Sequence, residues 1–255
     1  MEILVCVKRV PTIGGVLTLT ADQRAIDMKA SGFTISPHEE CAVEEAVRLV
    51  ERFGGSVTVA SLGPAAAEEQ LRACLALGAS AAVLLETPDG VETGPIATAA
   101  ALHALAAAGS FDLVLLGNEA SDTGGYQVGI RLAHLLGRPV ATGIKALSVS
   151  DDGTSLSASR TYRGVVETFT LPLPCVVTVK EGINLPRYPS LPGRLRAKRA
   201  SIGRAPVTDA AAVRDVRMTR LRVPDAPKKQ ATVLGHGPAA VPALIAVLAE
   251  IGVLS

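Results

Sequence analysis

The first half of the chain switches repeatedly between two hydrophobic periods. Residues 3–7 form a continuous apolar run of strand length, and Ala42, Val43, Ala46, Val47 and Val50 then recur at helical spacing, predicting a helix over 39–53. Its start is signalled by Ser36 as N-cap, Pro37 at the first helical position and Glu39 three residues after the serine, the spacing of a capping box. The alternation continues with a strand over 57–62, a helix over 65–77 opened by Gly63-Pro64, a strand over 82–85 and an alanine-rich helix over 96–107. A strand over 113–116, a glycine-rich turn and a helix from about 125 to 136 complete it. Apolar strands alternating with helices specify an open, mostly parallel, doubly wound α/β sheet with helices on both faces.

Near Thr142 the period changes. Residues 144–149, 156–162, 167–171 and 176–179 read as strands, with Asp151-Asp152-Gly153 and Arg163-Gly164 as turns, and predict hairpins that extend the sheet in antiparallel fashion. The stretch 184–199, NLPRYPSLPGRLRAKR, then breaks every period. It holds three prolines, five basic residues and no acid, and predicts a stiff loop with a basic tail. Leu185 and Leu191 sit between prolines, away from any periodic core face, so the loop offers an apolar tip and a positive rim to another protein. Residues 205–236 have little periodicity and read as an extended arm, and 242–251 is a short apolar helix that must dock on this domain or on a partner.

Composition adds exclusions. With 48% hydrophobic and 19% charged residues the chain is an ordinary globular one, and a net charge of +1 implies no global pull toward nucleic acid. Aromatic residues are 3% of the chain and tryptophan is absent, which argues against stacking platforms for single strands. Cys6, Cys41, Cys74 and Cys175 are scattered in apolar surroundings and read as small buried hydrophobes. The Met1-Glu2 opening and a first apolar run of five residues do not suit a signal peptide, and no apolar stretch reaches the ~20 residues of a membrane span, so a cytoplasmic protein is expected.

In a sheet of this kind ligands bind beyond the carboxyl ends of the strands. Four segments belong there: 6–11, 36–39, 62–64 and 117–129. The last is the richest, because Gly124-Gly125 permits close backbone approach and the helix that follows offers free N–H groups and a positive dipole end to a phosphate. Asp122 and Thr123 suit either a helix cap or a ribose hydroxyl, and a capped turn without ligand is the plain alternative. Neither G-x-G-x-x-G nor a Walker pattern is present. His38, His103, His134 and His236 are isolated, Glu44-Glu45 reads as a solvated helix face, and Ser190 has no nucleophile elbow around it, so no catalytic centre is expected.

In this order VKRV (7–10), AVEEAVRL (42–49), SLGP (61–64), the ALALGA region near 73–79, DLVLLG (112–117), LPLPCVVTV (171–179) and NLPRYPSLPGRLRAKR over residues 1–200 resemble the β subunits of electron transfer flavoproteins. The resemblance implies an adenine nucleotide alpha hydrolase-like nucleotide-binding domain over 1–203, including a partner-recognition loop at 184–199, and a C-terminal arm and helix over 204–255 that docks on a partner subunit. It implies a heterodimer with an α subunit, FAD held largely by that subunit, and AMP, or a second FAD in electron-bifurcating members, in the β subunit. Electrons would come from dehydrogenases such as acyl-CoA dehydrogenase and leave to a quinone reductase. A stand-alone nucleotide-binding regulatory module is the alternative from another class. The nucleotide positions carried over are Cys6, Ser36, Pro37, His38, Glu39, Leu62, Gly117, Asn118, Asp122, Thr123, Gly124, Gly125, Tyr126, Gln127 and Val128. The partner positions are Leu191 as anchor, with Pro189, Ser190, Arg194, Arg196 and Lys198 around it, and Ile13 takes the place near the flavin that is aromatic in some members.

Overall fold

The apolar runs become the buried centre of a sheet. In a computed structural model of the whole chain, all residues are described except 13, 15–17, 29–31, 92, 206, 208–214, 217, 225–230 and 255. The elements are β1 (Glu2–Cys6), β2 (Val10–Pro11), β3 (Phe33–Thr34), α1 (Pro37–Phe53), β4 (Ser56–Gly63), α2 (Glu68–Leu77), β5 (Ala81–Glu86), α3 (Pro95–Ala108) and β6 (Leu113–Gly117). They continue with α4 (Val128–Leu136), β7 (Val140–Ile144), β8 (Ala146–Val149), β9 (Ser155–Tyr162), β10 (Val165–Pro172), β11 (Cys175–Val179), α5 (Leu191–Arg199), β12 (Gly203–Ala205) and α6 (Val241–Glu250). Seven strands form one sheet in the order β12-β5-β4-β1-β6-β11-β7, and every neighbouring pair is parallel.

Both faces of that sheet are covered, as continuous apolar strands require. In β1 the side chains of Ile3 and Val5 join the core under α1 and α2, while Leu4 and Cys6 join the core under α3 and α4. The four cysteines are buried. Burial pushes the Cys6 and Cys74 thiols up to about 12 and Cys175 up to about 11, which suits inert packing groups.

Three expectations change in detail. The antiparallel strands are present, but they stand as a sheet of their own in the order β10-β9-β8, and the single strand expected at 144–149 is divided between β7 and β8. Gly143 at φ 70° and a register shift opposite Val177 and Val179 bend the chain out of the parallel sheet at that point. The helix expected from 125 begins at Val128, because Gly124 at φ 54° and Tyr126 at φ 55° are left-handed.

The third correction concerns 184–199, whose second half is a helix and not a loop. Ser190 caps α5 by accepting a hydrogen bond from the Gly193 amide at 3.1 Å, and Pro192 sits in the first turn, where no amide hydrogen is needed. A β-carbon on Gly193 would lie 2.6 Å from the Ala76 carbonyl oxygen, so a glycine lets α5 rest on α2. Arg72 of α2 closes the other end by donating to the carbonyls of Ala197 and Ala200 at 2.8 and 3.0 Å.

The chain divides into two compact units, Met1–Leu221 and Arg222–Ser255. The second holds the apolar α6, as the sequence predicts, and none of the helix's residues is buried.

Candidate functional site

The sheet reverses its order between β1 and β6. From β1 the chain builds outward through β4 and β5, and the later strands β6, β11 and β7 lie on the opposite side. A crevice outside the carboxyl ends is expected at such a switch point. Cys6 ends β1, and its register partners are Ala60 and Leu116. Gly117 ends β6 directly under the first turn of α1, where a β-carbon would lie 2.7 Å from Cγ of Glu39 and 3.2 Å from both the Glu39 nitrogen and Cβ of His38. A glycine is therefore what allows α1 to enter at this edge.

The capping box forms as the spacing predicts. The Glu39 amide donates to Oγ of Ser36 at 3.4 Å, and the Ser36 amide donates to Oε2 of Glu39 at 3.0 Å. The other Glu39 oxygen accepts from the Lys8 amide at 3.1 Å, and Oγ of Ser36 donates to the Glu119 carbonyl at 3.4 Å. These bonds bring the segments after β1, before α1 and after β6 together. Burial pushes the Glu39 carboxyl up to about 8, against the lowering effect of the Ser36 and Lys8 amides.

That value has a sign. The folded state holds the Glu39 proton in a range where the unfolded chain, near the usual 4.5, has released it. Stability therefore falls as pH rises from about 4.5 through about 8. Urea unfolding at pH 5.5 and pH 8 should show this decline, and Glu39→Gln, neutral throughout, should flatten it. An equal slope in the variant would assign the decline to other groups.

The loop after β6 wraps the crevice. The Asn118 amide donates to the Val179 carbonyl at 2.8 Å, and its Oδ1 accepts from Oγ1 of Thr178 at 2.8 Å. Nζ of Lys8 pairs with the Asp122 carboxylate at 2.7 Å. Thr123, Gly124 and Gly125 are exposed, and a β-carbon on Gly125 would meet nothing within 4 Å. The exposed Tyr126 has its phenol pKa raised by its hydrogen bond to the Glu119 carboxylate. Gln127, at the N-cap position of α4, makes no capping bond and instead accepts from Arg131 at 2.8 and 3.1 Å. The first amides of α4, starting at Val128, thus lack both intrahelical and side-chain acceptors among the described residues.

Among the buried polar atoms without a protein partner in the described residues, Nδ1 of His38, Oγ of Ser61 and Nε of Arg9 lie at this edge. Burial lowers the His38 pKa more than Glu119, 3.9 Å away, raises it, so the imidazole is neutral near pH 7. Pro37 is exposed and half-buried Leu62 lies two residues beyond Ala60, the β4 partner of Cys6. Lys8 and Glu119 fall inside the segments 6–11 and 117–129 but not among the carried-over nucleotide positions, and Ser61 lies just before the segment 62–64. Ile13 lies outside the described residues.

The partner positions form a separate cluster. Leu191 is the first residue of α5 and is 71% exposed. Pro189 is half-buried, and Ser190, Arg194, Arg196, Lys198 and Arg199 are exposed. Glu44, expected on a solvated face, is instead 2% exposed, because Arg187 and Arg48 both donate to its carboxylate. Glu45 is half-buried and accepts from Asn184 at 2.9 Å. No helix among the described residues is long and apolar enough to cross a membrane.

Comparison with known proteins gives one family. The profile of the electron transfer flavoprotein domain matches residues 25–210. The chain is 42% identical over 166 residues to the electron transfer flavoprotein subunit beta of Bacillus subtilis, a match covering 65% of this chain and 64% of that protein. It is 36% identical to the subunit beta of Bradyrhizobium diazoefficiens, with 82% and 83% of the two chains covered. It is 34% identical to the subunit beta of Homo sapiens, with 91% and 92% covered.

Proposed function

The chain belongs to the electron transfer flavoprotein family, and from that premise we propose that it is the β subunit of a heterodimer that carries electrons. With an α subunit it holds FAD, accepts electrons from dehydrogenases such as acyl-CoA dehydrogenase, and delivers them to a quinone reductase or another acceptor. The flavin supplies the redox chemistry, and this chain supplies binding and shape. The arm and α6 dock on the α subunit; the absence of a buried residue in α6 supports this.

The crevice between β1 and β6 takes AMP. The observation that carries this reading is the uncapped start of α4 behind the left-handed turn at Gly124–Tyr126, which leaves backbone donors and the positive end of a helix for a phosphate. Nδ1 of His38 and Oγ of Ser61 are buried atoms that a purine or ribose would satisfy. A Glu39 carboxyl held up to about 8 keeps its negative charge out of the crevice near pH 7, which favours an anion there.

Co-expression with an α subunit and mass spectrometry of acid-released nucleotides test both parts. One FAD and one AMP per heterodimer are expected. Two FAD and no AMP would replace the AMP reading with the electron-bifurcating type. A stable complex without flavin absorbance would overturn the electron-carrier reading.

A further inference from the structure

Leu185, Tyr188 and Leu191 are 83%, 95% and 71% exposed, an unusual display for a short irregular segment and the first residue of the helix that follows it. Free chain of this kind folds its apolar side chains inward. Here α1 holds the backbone from beneath. Arg187 donates to the Glu44 carboxylate from its own backbone amide at 3.1 Å and from Nε and Nη2 at 2.8 and 3.2 Å. Its two terminal nitrogens also donate to Glu51 at 2.6 and 2.9 Å.

The neighbouring residues of α1 complete the attachment. Arg48 donates to the Leu185 carbonyl at 3.2 Å and to Glu44 at 2.6 Å. Asn184 donates to the Cys41 carbonyl at 3.0 Å and to Glu45 at 2.9 Å. Positions 41, 44, 45, 48 and 51 follow helical spacing, so one stripe of α1 receives residues 184, 185 and 187, the start of the segment. Burial alone would raise the Glu44 pKa, but the hydrogen bonds from Arg187 and Arg48 outweigh it and hold the group below the usual carboxylate range.

We propose that Arg187 is a positioning residue for partner recognition. Clamped between Glu44 and Glu51, it fixes residues 184–191 in the shape that turns Leu185, Tyr188 and Leu191 outward together. A dehydrogenase then meets a surface that is already ordered and does not have to immobilise it. The inference rests on the reading of Leu191 as partner anchor, and goes beyond it by assigning the display of that anchor to α1.

The test is a cycle in the αβ complex with an acyl-CoA dehydrogenase as electron donor. Half-saturating donor concentration and maximal reduction rate are measured for wild type, Arg187→Gln, Leu191→Ala and the double variant. Arg187→Gln should raise the half-saturating concentration about tenfold, with maximal rate and FAD content unchanged. In the Leu191→Ala background the same change should have an effect at least about threefold smaller, since the anchor it positions is gone. Independent, multiplying effects would overturn the clamp, as would a normal Arg187→Gln beside a defective Leu191→Ala. No defect in Leu191→Ala would overturn the anchor reading itself, and the clamp with it. Should Arg187→Gln fail to fold, Glu51→Gln loosens only the exposed half of the clamp and should raise the half-saturating concentration about threefold; an unchanged value would overturn the proposal.

Discussion

Gly117→Ala is expected to destabilise the chain by about 2–3 kcal/mol and to empty the crevice of the AMP we propose it holds. The added methyl would stand 2.7 Å from Cγ of Glu39 and 3.2 Å from its backbone nitrogen. Neither is the free end of a flexible side chain. Glu39 is 6% exposed and is held through both carboxylate oxygens, so relief requires α1 to lift from the sheet edge. Lifting it breaks the bonds from the Lys8 amide to Glu39 and from Ser36 to the Glu119 carbonyl, and separates His38 from the loop after β6. Thermal unfolding should begin about 5–10 °C lower, and mass spectrometry should find less AMP per heterodimer. Gly125→Ala is the control: its β-carbon meets nothing within 4 Å, and the melting point should hardly move. Equal behaviour of the two variants would contradict the close approach of α1 to β6.

Leu191→Ala should act in the opposite manner, with little effect on the folded chain and a large one on its partner. The side chain is 71% exposed, so its truncation removes little buried surface within the chain. If it is the anchor, its loss should weaken dehydrogenase coupling by about 1–3 kcal/mol, or about 5- to 150-fold in the half-saturating donor concentration. Flavin and AMP content should stay at wild-type levels. Unchanged electron transfer at subsaturating dehydrogenase would remove Leu191 from the partner surface. The two variants separate nucleotide binding from docking, because their sites share no side chain.

What the sequence disclosed was mostly local. The capping box of Ser36 and Glu39 lies within four residues, and its spacing alone predicts the start of α1. The apolar runs 3–7 and 113–116 name the centre of the sheet because a strand covered on both faces admits no polar alternation. The buried carboxylate of Glu44 was hidden, since the arginine that satisfies it is 143 residues away. An acid next to an acid on a helix normally faces water, and only the distant partner reverses that. Tyr126 was hidden for another reason: a tyrosine carries no mark of a left-handed backbone, so the sequence places the start of α4 near 125 and not at Val128. The helical character of α5 was masked by prolines, yet Pro192 falls in the first turn, where proline is compatible with a helix.

The clamp on α1 also decides what can be transplanted. Residues 184–191 look like a cassette that could be moved between chains to change the partner served. Their shape, however, is written on another element, in the carboxylates of positions 44, 45 and 51 and the guanidinium of position 48. A recipient lacking that stripe would receive the residues without their posture, so any exchange of docking specificity must carry helix and segment as one unit.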